Sequence, residues 1–83
     1  ADFSRAGNME DLILYIARLL VDRPEAVQVR EVRGRQGTVY RLIVHPRDRG
    51  KIIGKEGRTI EAIRAILEAA AARRGLHITL DVV

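Results

Sequence analysis

Lys51-Ile52-Ile53-Gly54-Lys55-Glu56-Gly57-Arg58 is the stretch on which the reading of this chain turns. Two glycines three positions apart are flanked by basic residues and preceded by an apolar pair, and Thr59 and Ile60 lead away from them in helical spacing. Without a Cβ, Gly54 and Gly57 can take positive φ and let another backbone approach closely. A helix beginning just after Gly57 would aim its unsatisfied N–H groups and the positive end of its dipole at whatever occupies the loop. A phosphate suits such a turn. Gly-x-x-Gly alone is a weak signal, because the same pattern often does no more than join two helices. Here Ile52, Ile53 and Ile60 bracket the loop with apolar anchors, while Lys51, Lys55 and Arg58 ring it with positive charge.

The charge of the whole chain gathers at the same place. From Arg41 to Arg58 there are six basic residues against two acidic ones, a local balance of +4 that equals the formal net charge of the protein. The remaining nine basic and nine acidic residues cancel. A basic region is often only a solvated face, but one centred on a glycine loop is the electrostatic footprint that a nucleic-acid ligand calls for.

With 83 residues, 47% of them hydrophobic and 31% charged, the chain has room for one small domain with a single core. Cysteine is absent, which excludes disulfides and thiolate metal sites, and no cofactor is expected. No apolar run approaches the roughly 18 residues of a membrane span, and a cytoplasmic location is the default expectation. Residues 1–8 show no apolar period and precede Met9. They are expected to be a disordered tail or a non-native leader, with one domain over residues 9–83.

Outward from the loop the pattern resolves into elements. Met9 to Val21 reads as an amphipathic helix with Met9, Leu12, Ile13, Ile16, Leu19 and Leu20 on its buried face. Asn8 suits its cap, Tyr15 is expected to be partly buried, and Asp22-Arg23-Pro24 ends the helix. Val27 to Arg33 and Thr38 to His45 read as strands joined at Gly34-Arg35-Gln36-Gly37. Tyr40, Leu42 and Val44 share the core side of the second strand, leaving Val39, Arg41, Ile43 and His45 on the other. The first strand alternates less cleanly, which predicts a bulge or an early end near Glu31. Pro46 opens a short helix through Arg47 to Ile53. Arg58 to Arg74 forms the long helix, with Ile60, Ile63, Leu67, Ala70 and Ala71 inward, Arg64 pairing with Glu68, and Gly75 at the C-terminal stop. His77 to Val83 alternates as a final strand.

The order is αββααβ, which predicts an α+β fold: a three-stranded mixed sheet, its last two strands parallel and adjacent, with the helices packed on one face. That order and the I-I-G-K-E-G-R-x-I pattern resemble the type II KH domain, an RNA-binding module whose Gly-x-x-Gly loop holds the backbone of about four nucleotides. More narrowly, Val44, Pro46, Asp48, Gly50, Lys51, Ile53, Gly54, Lys55, Gly57 and Arg58 reproduce a stretch similar to that of the small bacterial KhpA family. The resemblance implies a cytoplasmic chaperone-like or regulatory RNA binder that forms a homodimer or pairs with a larger Jag-type KH protein.

On that resemblance the expected RNA site comprises Arg49, Lys51, Ile52, Ile53, Gly54, Lys55, Glu56, Gly57 and Arg58. Loop amides, Lys55 and the helix start at Arg58 would hold the sugar-phosphate chain. Ile52, Ile53 and the strand around Ile43 to His45 would floor the bases, with Arg47, Arg49 and Lys51 adding contacts that release counterions. Glu56 is repulsive to phosphate unless its carboxylate points to solvent. Base discrimination is expected to be weak, because none of Phe3, Tyr15 and Tyr40 flanks the loop for stacking. The competing reading is a dimerisation or partner-docking module that uses the alanine-rich helix end, Val39 and Ile43. An enzyme is not expected, since His45 and His77 lie in different strands with no evident nucleophile or acid partner, and the loop lacks the spacing and Lys-Ser/Thr ending of a P-loop.

Overall fold

The computed structural model describes residues 9–83. The expectations for residues 1–8, including Asn8 as a cap, lie outside the described residues. Helix α1 (Met9–Leu20) is followed by a 3₁₀ turn at Pro24–Ala26, strands β1 (Gln28–Gly34) and β2 (Gly37–Ile43), and a second 3₁₀ turn at Pro46–Asp48. Helix α2 (Arg49–Ile53), the tight turn Lys55–Gly57, helix α3 (Arg58–Arg73) and strand β3 (Ile78–Val82) complete the α+β order αββααβ. The sheet runs β1-β2-β3, with β1 antiparallel and β3 parallel to β2. Among the described residues no helix is long and apolar enough to cross a membrane.

The helices lie on one face of the sheet and share one core with it. Ile13 of α1, Leu42 of β2, Ile52 of α2 and Leu67 of α3 are its largest fully buried apolar side chains. Tyr40, Leu42 and Val44 are buried as their alternation requires, and Leu80 meets them from β3. The α1 stripe is narrower than expected: Met9, Ile13, Ala17 and Val21 form one i, i+4 row that is buried. Leu12 and Ile16 flank that row half-buried, whereas Leu19 is 68% exposed and Tyr15 49% exposed. Small Ala17 lets α1 approach its neighbours, and the last-turn leucines fall to the side of the contact.

No bulge interrupts β1. Its register with β2 runs unbroken from Gln28↔Ile43 to Gly34↔Gly37. The alternation looks broken in sequence because Glu31 occupies the helix-facing side, where its carboxylate accepts from the Tyr40 hydroxyl at 3.1 Å and from Arg33. Val32 consequently faces the open side, 51% exposed. Arg35 and Gln36 form the hairpin turn. Gly37 has φ 137°, and a Cβ there would stand 2.6 Å from the His77 carbonyl oxygen, so its glycine lets the start of β3 close on β2. The Thr38 N–H donates to that same oxygen at 3.0 Å.

Helix α3 ends in a Schellman arrangement. Gly75, at φ 70°, donates to Ala72 O, and Leu76 N–H reaches back to Ala71 O. Ile60, Ile63, Leu67 and Ala71 are buried along its inner face, with Ala70 half-buried. The expected Arg64–Glu68 pair is replaced. Arg64 turns toward β3 and lies 3.8 Å from Glu61.

Candidate nucleic-acid interface

The loop between α2 and α3 is held by backbone conformations that few residue types adopt. Gly54 has φ 77° and ψ 172°, Glu56 φ 58° and ψ 24°, and Gly57 φ 74° and ψ 12°. Glu56 is the only described non-glycine residue with positive φ, a left-handed conformation that costs a side-chain-bearing residue about 1 kcal/mol or more. The turn is closed by Gly54 N–H to Gly50 O at 2.8 Å and Gly57 N–H to Gly54 O at 3.1 Å, with Arg58 N–H bonded to Lys55 O. A Cβ on Gly54 would stand 2.1 Å from Thr59 Oγ1, whereas one on Gly57 would meet nothing within 4 Å. The first glycine is required by contact as well as by conformation, the second by conformation alone.

Around this turn the basic side chains divide. Lys55 is exposed at the tip of the loop. Arg58 lies 3.5 Å from Glu56, and both side chains are largely in solvent, so the one acidic group of the loop is paired with a cation at the surface. Lys51 instead pairs with Asp22 and comes within 4.0 Å of Asp48. The hydrogen bond and charge of Lys51 hold the Asp22 carboxyl below its ordinary value. Asp48 is fully buried; its Oδ2 accepts from the Arg23 N–H at 3.0 Å and its Oδ1 from Arg23 Nη1 at 3.4 Å. A buried carboxylate needs such partners. Together Asp22, Arg23, Asp48 and Lys51 bolt the root of α2 to the end of α1, so the loop projects from a fixed base.

His45 caps the turn before α2 by accepting the Arg47 N–H on Nδ1 at 3.1 Å. Ile52 is fully buried and serves as the core anchor of α2, while Ile53 is half-buried at the surface. Ile53 belongs to a shallow cleft of about 550 Å³ shared by Arg49 of α2, Arg64 of α3, Arg41 of β2 and residues 81–83 at the end of β3. The strand end that Arg49 and Ile53 adjoin is that of β3, and Ile43 to His45 do not line this cleft. Because β3 is an edge strand, the carbonyls of Leu80 and Val82 face away from β2, and both are taken by arginines. Leu80 O accepts Arg64 Nε at 3.3 Å and Nη2 at 3.1 Å, and Val82 O accepts Arg49 Nη2 at 3.4 Å. The structure thus brings Arg49 and Ile53 together with Arg41, which the sequence placed in the basic region but not in the site, and with Arg64, which sequence reasoning left out. The available signal for Arg64 was its place beside the Ile60–Ile63–Leu67 stripe, bordering the strand that this stripe must cover.

Comparison with known proteins accords with this architecture. A family model for the KH domain of KhpA and KhpB matches residues 10–82. The chain is 49% identical over 74 residues to the RNA-binding protein KhpA of Chlamydia caviae, covering 89% of this chain and 95% of that one. It is 41% identical over 75 residues to the RNA-binding protein KhpA of Caldanaerobacter subterraneus subsp. tengcongensis, covering 90% of this chain and all of that one, and equally identical to its namesake in Clostridium perfringens. No solved structure was found to match. With the αββααβ order, the mixed sheet and the glycine turn between α2 and α3 in place, a match that runs from α1 to the last residue of β3 assigns the chain to the KhpA/KhpB KH-domain family.

Proposed function

We propose that this chain binds single-stranded RNA without chemistry, as a cytoplasmic RNA chaperone or post-transcriptional regulator, by receiving the sugar-phosphate backbone at Gly54–Gly57. The observation that carries this reading is the turn itself: three residues at positive φ between two helices, with Lys55 at its tip and the N-terminus of α3 behind it. The amides of Gly57 and Arg58 are spent within the turn, which makes those of Lys55 and Glu56 the candidates for a phosphate. Arg49 and Ile53 in the adjoining cleft would take the sugar and base side, and Arg47 would add long-range attraction. The names of the KhpA relatives support the same ligand.

Replacing Lys55 and Glu56 together by Asp tests this. Both side chains are exposed, and Asp tolerates the left-handed position 56 better than most residues. The double variant is expected to melt within about 3 °C of the parent, a stability change well under 1 kcal/mol, while losing RNA binding in an anisotropy titration. Unchanged RNA affinity in the folded variant would overturn the proposal. Self-association or pairing with a second KH protein is the further reading. The half-exposed Ile66 on α3 and the half-buried Val39 and Ile43 on the helix-free face of the sheet favour it, and light scattering of the purified chain across concentrations decides it.

A further inference from the structure

The face of the sheet opposite the helices carries an arrangement that the loop does not explain. Arg30 of β1 and Arg41 of β2 are directly opposed in the ladder, with both side chains exposed on that face. Like charges directly across a strand pair repel and weaken the pairing. Among the described residues neither guanidinium has an ion-pair partner within the chain. Asp81 stands opposite Arg41 on β3, yet it makes no ion pair with it, and the row Arg30–Arg41–Asp81 keeps a net positive charge. Around the two arginines lie Val32, directly across from Val39, and Ile43, all uncovered by any helix. Two unneutralised guanidiniums in an apolar frame are complementary to a chain of phosphates bearing sugars and bases.

The position of this row matters as much as its charge. Arg41 and Asp81 on the open face also line the cleft that holds Arg49, Ile53 and Arg64 on the helix side. The cleft therefore wraps round the end of β3 and joins the two faces. A strand leaving the glycine loop along Arg49 passes this end and meets Arg41 first, then Arg30.

We propose that the open sheet face is a second contact surface for single-stranded RNA, on which Arg30 and Arg41 hold phosphodiesters adjacent to the segment received at Gly54–Gly57. This rests on the RNA-binding reading given above. An acidic protein segment would feel the same charge, but continuity with the cleft favours the nucleic-acid strand.

The test uses the full chain and labelled oligouridylates of about four and about twelve nucleotides, the shorter matching the span of a Gly-x-x-Gly loop. Arg30→Gln together with Arg41→Gln changes two exposed residues, and a circular-dichroism melt checks that the variant folds; each single substitution serves if the pair does not. For the longer oligomer, binding should weaken and the slope of log K against log[KCl] should shrink by about 1.4, at about 0.7 for each phosphate of a single strand that is no longer neutralised. Arg30→Gln alone, which leaves the cleft lining of Arg41, Arg49 and Ile53 intact, should keep the affinity for the short oligomer within about twofold of the parent, because the loop and its cleft hold it. Equal weakening of both lengths by Arg30→Gln, or no change for the longer oligomer in the double variant, would overturn the proposal. Saturable binding of oligoglutamate that the substitutions abolish, with the RNA slope unchanged, would assign the face to an acidic partner and overturn it too. Failure of the loop reading looks different: the Lys55→Asp, Glu56→Asp variant would then bind both oligomers like the parent, whatever the arginine variants do.

Discussion

Gly54 sits at φ 77° and ψ 172°, a region essentially closed to residues with a Cβ, and Gly57 sits at φ 74° and ψ 12°, in the ordinary left-handed well. The difference gives unequal costs for the same substitution. Gly57→Ala should lose about 1 kcal/mol, the penalty of placing an L-residue in the left-handed well. Gly54→Ala should lose about 3 kcal/mol, because strain of about 1–3 kcal/mol adds to a collision with Thr59. Urea titrations of the two variants measure the gap, and equal losses would show that the Thr59 contact does not constrain the loop. Glu56 carries its own strain between them. Its carboxylate is largely in solvent and paired with Arg58, so the charge that looks adverse to phosphate in the sequence has a cation beside it.

Elements are fastened to one another by a few polar contacts across the core's edge. Helix α3 covers β3 with Ile63 and Leu67, and Arg64 beside them locks the strand by donating twice to Leu80 O. Such a fork cannot be reproduced by lysine, whose ammonium is a point donor. Arg64→Ala and Arg64→Lys should both lower stability by about 1.5–3 kcal/mol, the range for hydrogen bonds from a charged donor. Amide exchange should quicken in β3 more than in α1, and uniform acceleration in both would show that Arg64 does not hold the strand. The arginine bonds from Arg49 and Arg64 occupy the outward carbonyls of an edge strand, a protection against pairing with another chain. On the other edge, Glu31 joins β1 to β2 through Tyr40. Its hydrogen bonds from Arg33 and then Tyr40 depress its carboxyl, while burial followed by the Glu31 hydrogen bond raises the Tyr40 phenol.

Across the whole molecule these polar contacts set a pH dependence. Asp22, bonded to Lys51, and Glu31, bonded to Arg33, both have folded-state values below their ordinary 3.8 and 4.5. A depressed carboxyl contributes stability that is present above its unfolded value and is lost as pH falls through its folded value. The urea midpoint should therefore hold near pH 5 and above and fall steadily from about pH 4 downward. Asp22→Asn should flatten part of that acid limb, and an identical limb in the variant would remove Asp22 from the account. Asp22 is exposed and Glu31 only partly covered, so added salt should shrink the effect. The tie matters for function because Asp22 and Asp48 together seat Lys51 and the root of the glycine loop on α1.

Local chemistry makes much of this protein legible in its sequence. Pro46, Gly54, Gly57 and Gly75 punctuate the helices where backbone sterics require, and the alternation of Tyr40, Leu42 and Val44 assigns the core side of β2. The αββααβ order and the glycine loop follow from signals within a few residues of each other, which periodicity and turn chemistry read well. What escaped depended on partners distant in sequence. Glu31 occupies the core side because Tyr40, nine residues away, satisfies it, and Lys51 at the root of the loop pairs with Asp22, 29 residues away. Arg64 joined the cleft through Leu80, and Arg30 met Arg41 through strand register. The sequence by itself determined the elements, their order and the glycine turn between α2 and α3, since those rest on local sterics and hydrophobic period. Tertiary structure alone decided which charges are neutralised and which stand open, because an ion pair depends on distance in space, and that distance is set by how the elements pack.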